Sequence, residues 1–321
     1  MSSGLAGEGA PGLLVPIDVQ ALCIGRGDAA AANDLAGVTA NFKQQWTPQS
    51  QAFIGANVTI AFDDPPLQAL EPGVHLHWAL PDALTHADTS QGKLAFPAAP
   101  NRWLVTRILV KGGQPVTRSW LVESDAVLQS RPDSQTTVTV PVKPGTFAGQ
   151  DFGWIGRAHE VTSGWDPDSV SPALSVLDAT SEDLTAVTNG ELSFAAYYPS
   201  CRNVFGFHDP LTDVAPPVGE SAMLAYAIVG WYDEETKDVI RPGATLDSVK
   251  ELGWTYTGEN APAYSVCHGL IEGIAWRGAD DAYLPSRQPA VSAEVAIATT
   301  PAEALAAYFA NRNHPDIPLA E

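Results

Sequence analysis

Proline and glycine are the feature of this sequence that most restricts its fold. The 321-residue chain contains 26 Pro and 27 Gly, spread along its length. Proline cannot continue the hydrogen bonds of a helix interior, so a helical bundle does not tolerate this density. Turn residues at such short intervals are typical of many short strands joined by turns. We therefore predict a mainly β fold of packed antiparallel sheets, sandwich-like or barrel-like, with a few short helices and one C-terminal helix.

Several segments have the alternation or the apolar runs of strands. The clearest is a hairpin over Arg102–Asp125, with a turn at Gly112-Gly113 and a return strand at Val116–Val122. Two alternating runs around a Gly-Gly pair are typical of a hairpin. Further strands are predicted at Leu13–Ile24, Phe53–Phe62, Gly73–Leu80, Thr136–Val142, Ala222–Trp231, Tyr264–Trp276 and Ala293–Ala298.

The length of the chain allows about two domains. We predict a flexible arm at residues 1–12, β-rich domains or subdomains at 13–140 and 141–298, and a helix and tail at 299–321. Thr300 and Glu303 have the spacing of a capping box, and Pro301 would stand at the first helical position. A helix with so strong a start near the end of the sequence suits a connection to a further domain.

The charge of the chain excludes two classes of partner. It has 17 basic and 37 acidic residues, a formal net charge of -20. Nucleic-acid binding needs a basic footprint, and anionic membranes attract basic segments, so neither partner is expected. The most basic stretch, Arg102–Arg118, is predicted as two strands with solvated edges. The charge favours docking to a basic protein partner within a larger complex.

Targeting signals are absent from the sequence. The N-terminus has no basic and apolar signal-peptide pattern, and no apolar run reaches 18 residues. We therefore predict synthesis in the cytoplasm without membrane insertion, and any export by incorporation into a released particle.

The common cofactor and hydrolase motifs are also absent. The sequence has no Walker loop, GxGxxG, HExxH, GxSxG or EF-hand pattern. We therefore predict no cofactor and favour a chain that is not an enzyme. A catalytic group assembled from distant residues stays open as an alternative.

A His-x-His pair is the first candidate site. His75 and His77 point to the same face of a strand, where two imidazoles can share a metal ion. Asp82 or His86 could supply a third ligand. Such a site would support metal-assisted hydrolysis. In the alternative interpretation, which we favour, the histidines stack along a half-buried strand and bond to backbone carbonyls.

The aromatic segment Phe194–Asp209 is the second candidate site. Its candidate interaction residues are Tyr197, Tyr198, Arg202, Phe205, Phe207 and His208. In one alternative, Cys201 beside Arg202 is a low-pKa thiolate, with His208 or His268 as its base. In the interpretation that we favour, the segment is an aromatic loop that packs over the sheet. Three widely spaced cysteines do not suggest a disulfide framework. We therefore predict that Cys23, Cys201 and Cys267 are free, buried thiols.

Nine tryptophans allow a third kind of site. Exposed Trp and Tyr rings can form a carbohydrate-binding platform. Trp103, Trp120, Trp231 and Trp276 lie in strand-like runs, however, which favours the core for most of them.

Four blocks of the sequence carry a resemblance to a known family. They are GVHLHWALPDALT (Gly73–Thr85), FPAAPNRWLVTR (Phe96–Arg107), SFAAYYPSCRNVFGFHD (Ser193–Asp209) and EVAIATTPAEALAAY (Glu294–Tyr308). In this order they resemble the N-terminal part of a family of large uncharacterised bacterial proteins, over roughly residues 70–310. The family is associated with phage-tail-like contractile injection particles. The resemblance implies a structural or cargo role and carries over no catalytic residue.

The sequence thus leads to three hypotheses. The first is a structural, assembly or binding module of a larger bacterial protein or particle, such as a component or cargo of a contractile injection system. The second is a metal-assisted hydrolase centred on His75 and His77. The third is a carbohydrate-binding module that uses exposed aromatic side chains.

Overall fold

The computed structural model of the chain confirms a mainly β fold. It describes residues 12–25, 71–88, 92, 95–111, 113–128, 154–162, 165, 183–186, 201–240, 243–254 and 260–279. In this part of the chain 54% of residues lie in strands and 9% in helices, and the strands form two largely antiparallel sheets. No helix of the described part is long and apolar enough to cross a membrane.

Nine strands and two short α-helices make up the described fold. The strands are β1 (Gly12–Pro16), β2 (Asp18–Ile24), β3 (Gly73–Ala79), β4 (Arg102–Lys111), β5 (Gln114–Leu128), β6 (Trp154–Val161), β7 (Gly206–Asp209), β8 (Ala222–Trp231) and β9 (Tyr264–Trp276). The helices are α1 (Asp82–Thr85) and α2 (Leu246–Glu251), and a 3-10 helix covers Glu235–Lys237.

The strands form a six-stranded and a three-stranded sheet. The order in the large sheet is β1-β9-β8-β4-β5-β6, and in the small sheet it is β2-β3-β7. Every pair is antiparallel except β1 and β9. Both sheets take strands from both predicted units, residues 13–140 and 141–298. The described strands therefore do not separate at residue 140.

The hairpin prediction is confirmed. β4 and β5 pair in antiparallel register from Arg102 opposite Glu123 to Lys111 opposite Gln114, and Gly113 lies in the turn with φ 76°. A positive φ is easy for glycine because it has no Cβ, which explains the residue at this point. The strands predicted at Ala222–Trp231 and Tyr264–Trp276 are confirmed with the same bounds.

The single strand predicted at Leu13–Ile24 is wrong. The chain leaves the large sheet at Pro16 and enters the small sheet at Asp18, so one apolar run supplies two strands. The step at Ile17 passes close over Gly269 of β9, where an added Cβ would overlap the Val19 side chain. Because residues on both sides of the step are buried in the same core, hydrophobicity alone does not reveal it.

Aromatic rings fill the space between the two sheets. Trp78 of the small sheet lies 5.3 Å from Trp103 of the large sheet, and Phe207 lies 5.0 Å from Trp120, between ring centroids. Phe205 meets Trp103 edge to face at 6.4 Å. Buried rings of this size contribute much of the hydrophobic stabilisation of a core.

The close packing of Trp103 predicts a sensitive glycine. A Cβ at Gly230 would overlap the six-membered ring of Trp103. We expect Gly230→Ala to lower the free energy of unfolding by about 1–3 kcal/mol, the usual cost of overpacking. Gly113→Ala is the control, since nothing lies near its added Cβ. It should cost about 1 kcal/mol, from the positive φ alone. Urea denaturation measures both, and an equal or smaller loss at Gly230 would contradict the packing argument.

Several predicted elements lie outside the described residues. They are the arm at residues 1–11, the strands at Phe53–Phe62, Thr136–Val142 and Ala293–Ala298, and the C-terminal helix and tail at 299–321. Gly12, predicted as the last residue of the arm, begins β1 instead.

Candidate functional site

The small sheet places its histidines on the face that points away from the large sheet. Side chains alternate along a strand, so Trp78 and Phe207, which pack against the large sheet, define the inner face. The opposite face carries three buried histidines: His75, His77 and His208. This face is the best candidate site that the described residues offer.

Two of these histidines stack on each other. His75 of β3 and His208 of β7 are direct cross-strand partners, and their ring centroids are 4.2 Å apart with an interplanar angle of 11°. The Nε2 of His75 lies 2.8 Å from the Glu71 carbonyl, and the Nε2 of His208 lies 3.1 Å from the Pro72 carbonyl. A carbonyl can only accept, so the hydrogen-bond network assigns the proton to Nε2 in both rings.

An arginine completes the group. The guanidinium Nη2 of Arg202 lies 3.0 Å from the Nδ1 of His208 and donates to it. This donation agrees with the tautomer, because Nδ1 without a proton is an acceptor. We call His75, His208 and Arg202 the histidine clasp. The clasp links β3, β7 and the segment at residues 71–72.

The turn that carries Arg202 is itself fixed between the sheets. Residues 201–206 form a tight turn, and the Ser124 hydroxyl of the large sheet donates to the Val204 carbonyl. On the other side, the Trp78 amide of the small sheet donates to the Phe205 carbonyl at 2.9 Å. The position of the guanidinium therefore follows from backbone contacts with both sheets.

Burial keeps the histidines neutral. It lowers the pKa of His75 from its ordinary value of 6.5 to about 3, with a further decrease from the charge of Arg202. Burial alone lowers the pKa of His77 to about 3. Burial, followed by the neighbouring His75 and Arg202, lowers the pKa of His208 well below 6.5. None of these three rings is a base suited to catalysis near neutral pH, which requires a pKa close to the working pH.

The structure does not assemble the four candidate metal ligands into one site. His75 and His77 are buried, whereas His86 is exposed beyond α1 and its Nδ1 lies 2.6 Å from the Asp82 carbonyl. No group of three or more His, Cys, Asp or Glu side chains that could hold a metal ion occurs among the described residues. The favoured alternative is correct for the carbonyl contact of His75, but its ring stacks on His208 of a neighbouring strand, and six of the seven residues of β3 are buried.

The low-pKa thiolate at Cys201 is contradicted. The side chain is fully buried, and burial raises the pKa of the thiol above its ordinary value. Its two proposed bases are used or placed elsewhere: His208 bonds to Arg202 and Pro72, and His268 is exposed on β9. Cys201 and Cys267 are buried, as predicted, whereas Cys23 is only partly buried, and the structure describes no disulfide among the three.

The aromatic segment is internal where the structure describes it. Arg202, Phe205, Phe207 and His208 are all buried, and the two phenylalanines pack between the sheets. These four residues therefore do not lie on an exposed interaction surface, because their side chains are needed in the core and the clasp. Tyr197 and Tyr198 lie outside the described residues.

Sequence reasoning missed a buried ion-pair group between the sheets. Arg107 of β4 bonds to Asp209 at 3.0 Å and to Asp213, and Asp209 also accepts from the Tyr226 hydroxyl at 3.0 Å. Burial raises the pKa of Asp209, against the opposing attraction of Arg107. The strand alternation could have predicted this burial, because Arg107 lies on the same face of β4 as the apolar Trp103 and Val105.

A second ion-pair group corrects the prediction of solvated strand edges at Arg102–Arg118. Arg102 is buried and bonds to Asp125 and, at 2.8 Å, to Asp233. The amide of Asn101 donates to the same two carboxylates at 2.7 and 2.6 Å. Arg118 alone among the described cations of this stretch is partly exposed, with bonds to Glu160. Arg102 and Arg107 therefore join strands and loops instead of facing solvent, and Arg118 keeps part of its side chain in solvent.

The outer face of the large sheet carries exposed apolar side chains among polar ones such as Thr106, Ser119 and His268. On β8 the residues that alternate with the buried Tyr226 and Ile228 point outwards. Outward apolar side chains are also present on both neighbouring strands and on the edge strand. Exposed members include Leu14, Met223, Val229 and Leu270, at 66%, 52%, 36% and 47% exposure. Exposed apolar side chains on a sheet face can contribute to an interaction surface. We call these four residues the outer apolar patch.

The tryptophans do not form a platform in the described part of the chain. Trp78, Trp103, Trp120 and Trp276 are buried. Trp165, Trp231 and Trp254 are partly buried, and Trp165 packs against Trp231 at 6.4 Å. The prediction that most strand tryptophans belong to the core is confirmed for these residues.

Comparison with known proteins adds no family. No protein-family model matches the chain, and neither a curated protein nor a solved structure is significantly similar to it. The resemblance to large bacterial proteins of contractile injection particles therefore stays a prediction.

Proposed function

We propose that this chain is a non-enzymatic structural or binding module of a larger bacterial protein or particle. The observation that carries the proposal is the burial of the side chains that could take part in catalysis. The residues that would serve catalysis, His75, His77, Cys201 and His208, are buried, and their pKa values are moved away from those of useful bases and nucleophiles. These side chains contribute to the folded interior and are not placed to contact a substrate.

The buried arginines support the same function. Arg102 joins carboxylates from two distant parts of the chain, Asp125 and Asp233, and Arg107 joins β4 to Asp209 and the nearby Asp213. Such groups fix the relative positions of strands and loops, and breaking one is costly because a charge is left buried. A rigid scaffold of this kind suits a module that presents a surface.

The outer apolar patch is the surface that we assign to the partner. The chain has a net charge of -20, yet the four patch residues are all aliphatic or Met. Apolar contact at the patch would supply affinity, and the net negative charge of the chain would direct association with a basic protein. A component or cargo of a contractile injection particle is the context that the sequence resemblance implies.

The test is association in native lysate at low salt. We expect the tagged chain to elute from size exclusion in a complex larger than its 33.9 kDa mass. Leu270→Glu should reduce that complex by about tenfold or more, since it places a charge in the patch. Val218→Glu is the matched control, because Val218 is an exposed aliphatic residue as well but lies on a loop outside the patch. Equal loss in both variants would contradict the assignment of the surface.

Two other results would replace the proposal. A monomer that binds one zinc ion per chain and hydrolyses a small ester, with both properties lost in His75→Ala or His77→Ala, would establish the metal-assisted hydrolase. A monomer that binds oligosaccharides on a glycan array would establish the carbohydrate-binding module.

A further inference from the structure

The histidine clasp can exist only while its imidazoles are neutral. Nε2 of His208 donates to the Pro72 carbonyl, and Nδ1 accepts from Arg202. A second proton on His208 would have to sit on Nδ1, where it would face the N–H of the guanidinium. The bond would then be replaced by two opposed donors and two neighbouring cations in a buried site.

The remaining polar groups around the clasp provide no compensating charge among the described elements. On β3, His77 lies on the same face and is itself buried and neutral. On β2, the residue opposite His77 is the uncharged Gln20. From the segment before β3, Glu71 contributes its backbone carbonyl. Arg202 is the charged group whose field acts on both clasp histidines, and it disfavours their protonation.

Asp209, on the other face of β7, does not cause release in acid. Asp209 faces Arg107 of β4, Tyr226 of β8 and the exposed Asp213. Burial raises the pKa of Asp209, so its protonation in acid relieves a buried charge and by itself favours the folded state. Burial acts to raise the pKa of Asp213 but its bonds to Arg107 lower it overall, so that pair also weakens in acid, and the His208→Gln variant distinguishes its loss from that of the imidazoles.

We propose that the histidine clasp is an acid-released latch: protonation of His208 breaks its bond to Arg202 and opens the small sheet between β3 and β7, while the large sheet stays folded. His208 can take no second proton without losing a bond, because its Nε2 donates to the Pro72 carbonyl and its Nδ1 accepts from Arg202. β7 has only four residues, so few backbone hydrogen bonds hold this seam apart from the clasp. Among the described residues of the large sheet, the histidines are exposed, so none is a buried neutral imidazole like those of the clasp.

The direction of the pH dependence follows from the histidines. Their pKa values are lower in the folded chain than the 6.5 of the unfolded chain, so the unfolded state binds more protons in acid. The stability that the clasp provides is complete above pH 6.5 and is lost as the pH falls towards 3. Each histidine that must be protonated for opening makes the opening equilibrium up to tenfold more favourable per pH unit.

Hydrogen exchange of the full chain between pH 7 and pH 4, corrected for the intrinsic exchange rate, tests the latch. We expect peptides that cover β3 and β7 to lose protection at a higher pH than peptides that cover β8 and β9. Simultaneous loss in all four strands would overturn the proposal, because the sheets would then unfold as one unit.

Two variants separate a latch from an ordinary packing contact. His208→Gln keeps a donor for Pro72 and an acceptor for Arg202 but cannot be protonated, and Arg202→Gln keeps a donor while removing the cation. Both should move the opening to lower pH, whereas the loss of a merely structural contact would move it to higher pH. His268→Gln, at an exposed position on β9, should change nothing. If a variant does not fold, the order in which strands of the unaltered chain lose protection decides the question.

Discussion

Arg107→Met is expected to lower the free energy of unfolding by about 3–5 kcal/mol. The guanidinium of Arg107 compensates the charge of Asp209, whose side chain is only 2% exposed. Without Arg107, the carboxylate stays buried and keeps the Tyr226 hydroxyl as its side-chain donor among the described residues. Methionine retains most of the volume, so the loss measures the charge rather than a cavity. Urea denaturation followed by far-UV circular dichroism provides the measurement.

Arg118→Met is the matched control for Arg107. Both guanidinium groups lie 5.5 Å from the Trp120 ring, and both contact Asp213. Arg118 is 34% exposed, however, and exposed ion pairs contribute about 1 kcal/mol or less. A double variant, Arg107→Met with Asp209→Asn, should recover part of the loss because it removes the unpaired charge. Equal losses at Arg107 and Arg118 would show that burial of the ion pair is unimportant.

Trp103→Ala is expected to cost about 3–5 kcal/mol, the range observed for large aromatic deletions in cores. Trp103 is fully buried, contacts rings of both Trp78 and Phe205, and donates from Nε1 to the Pro100 carbonyl at 3.1 Å. Its removal would leave a cavity where the two sheets meet. The unfolding free energy in urea is again the quantity to measure.

Trp231→Ala controls for the loss of a tryptophan as such. Trp231 pairs with Arg102 in the β8–β4 ladder but points to the outer face and is only partly buried. We expect a clearly smaller loss there, because its ring is not enclosed between the sheets. A comparable cost for the two substitutions would indicate that the core does not centre on Trp103.

The sequence predicted those elements whose side chains alternate between core and surface. The β4–β5 hairpin and strands β8 and β9 have this pattern, and a Gly-Gly pair or a polar segment ends each run. The order of strands within the sheets was not predictable, since pairing between strands far apart in the chain leaves no local pattern. The division of Leu13–Ile24 between two sheets was missed for the same reason.

The errors at the candidate site concern charged and polar residues in the interior. Lys, Arg and Asp are almost always at least partly exposed, so a sequence suggests the surface for Arg102 and Arg107. Their burial depends on carboxylates such as Asp209 and Asp233, more than 100 residues away. His75 was expected to contact carbonyls, but its stacking partner His208 could be identified only from the fold.

The pairing of β1 with β9 sets the order in which this chain can fold. Residues 12–16 lie beside residues 264–268, so the edge of the large sheet is completed by segments about 250 residues apart. During synthesis, β1 has no partner until almost all of the described chain has left the ribosome. Contacts at such separations slow folding, because the chain loses entropy in closing the loop before the pairing stabilises it. Meanwhile the exposed Leu14 and the unpaired edge would be open to association with other chains, and we expect the yield of folded protein to depend on chaperones that shield this strand.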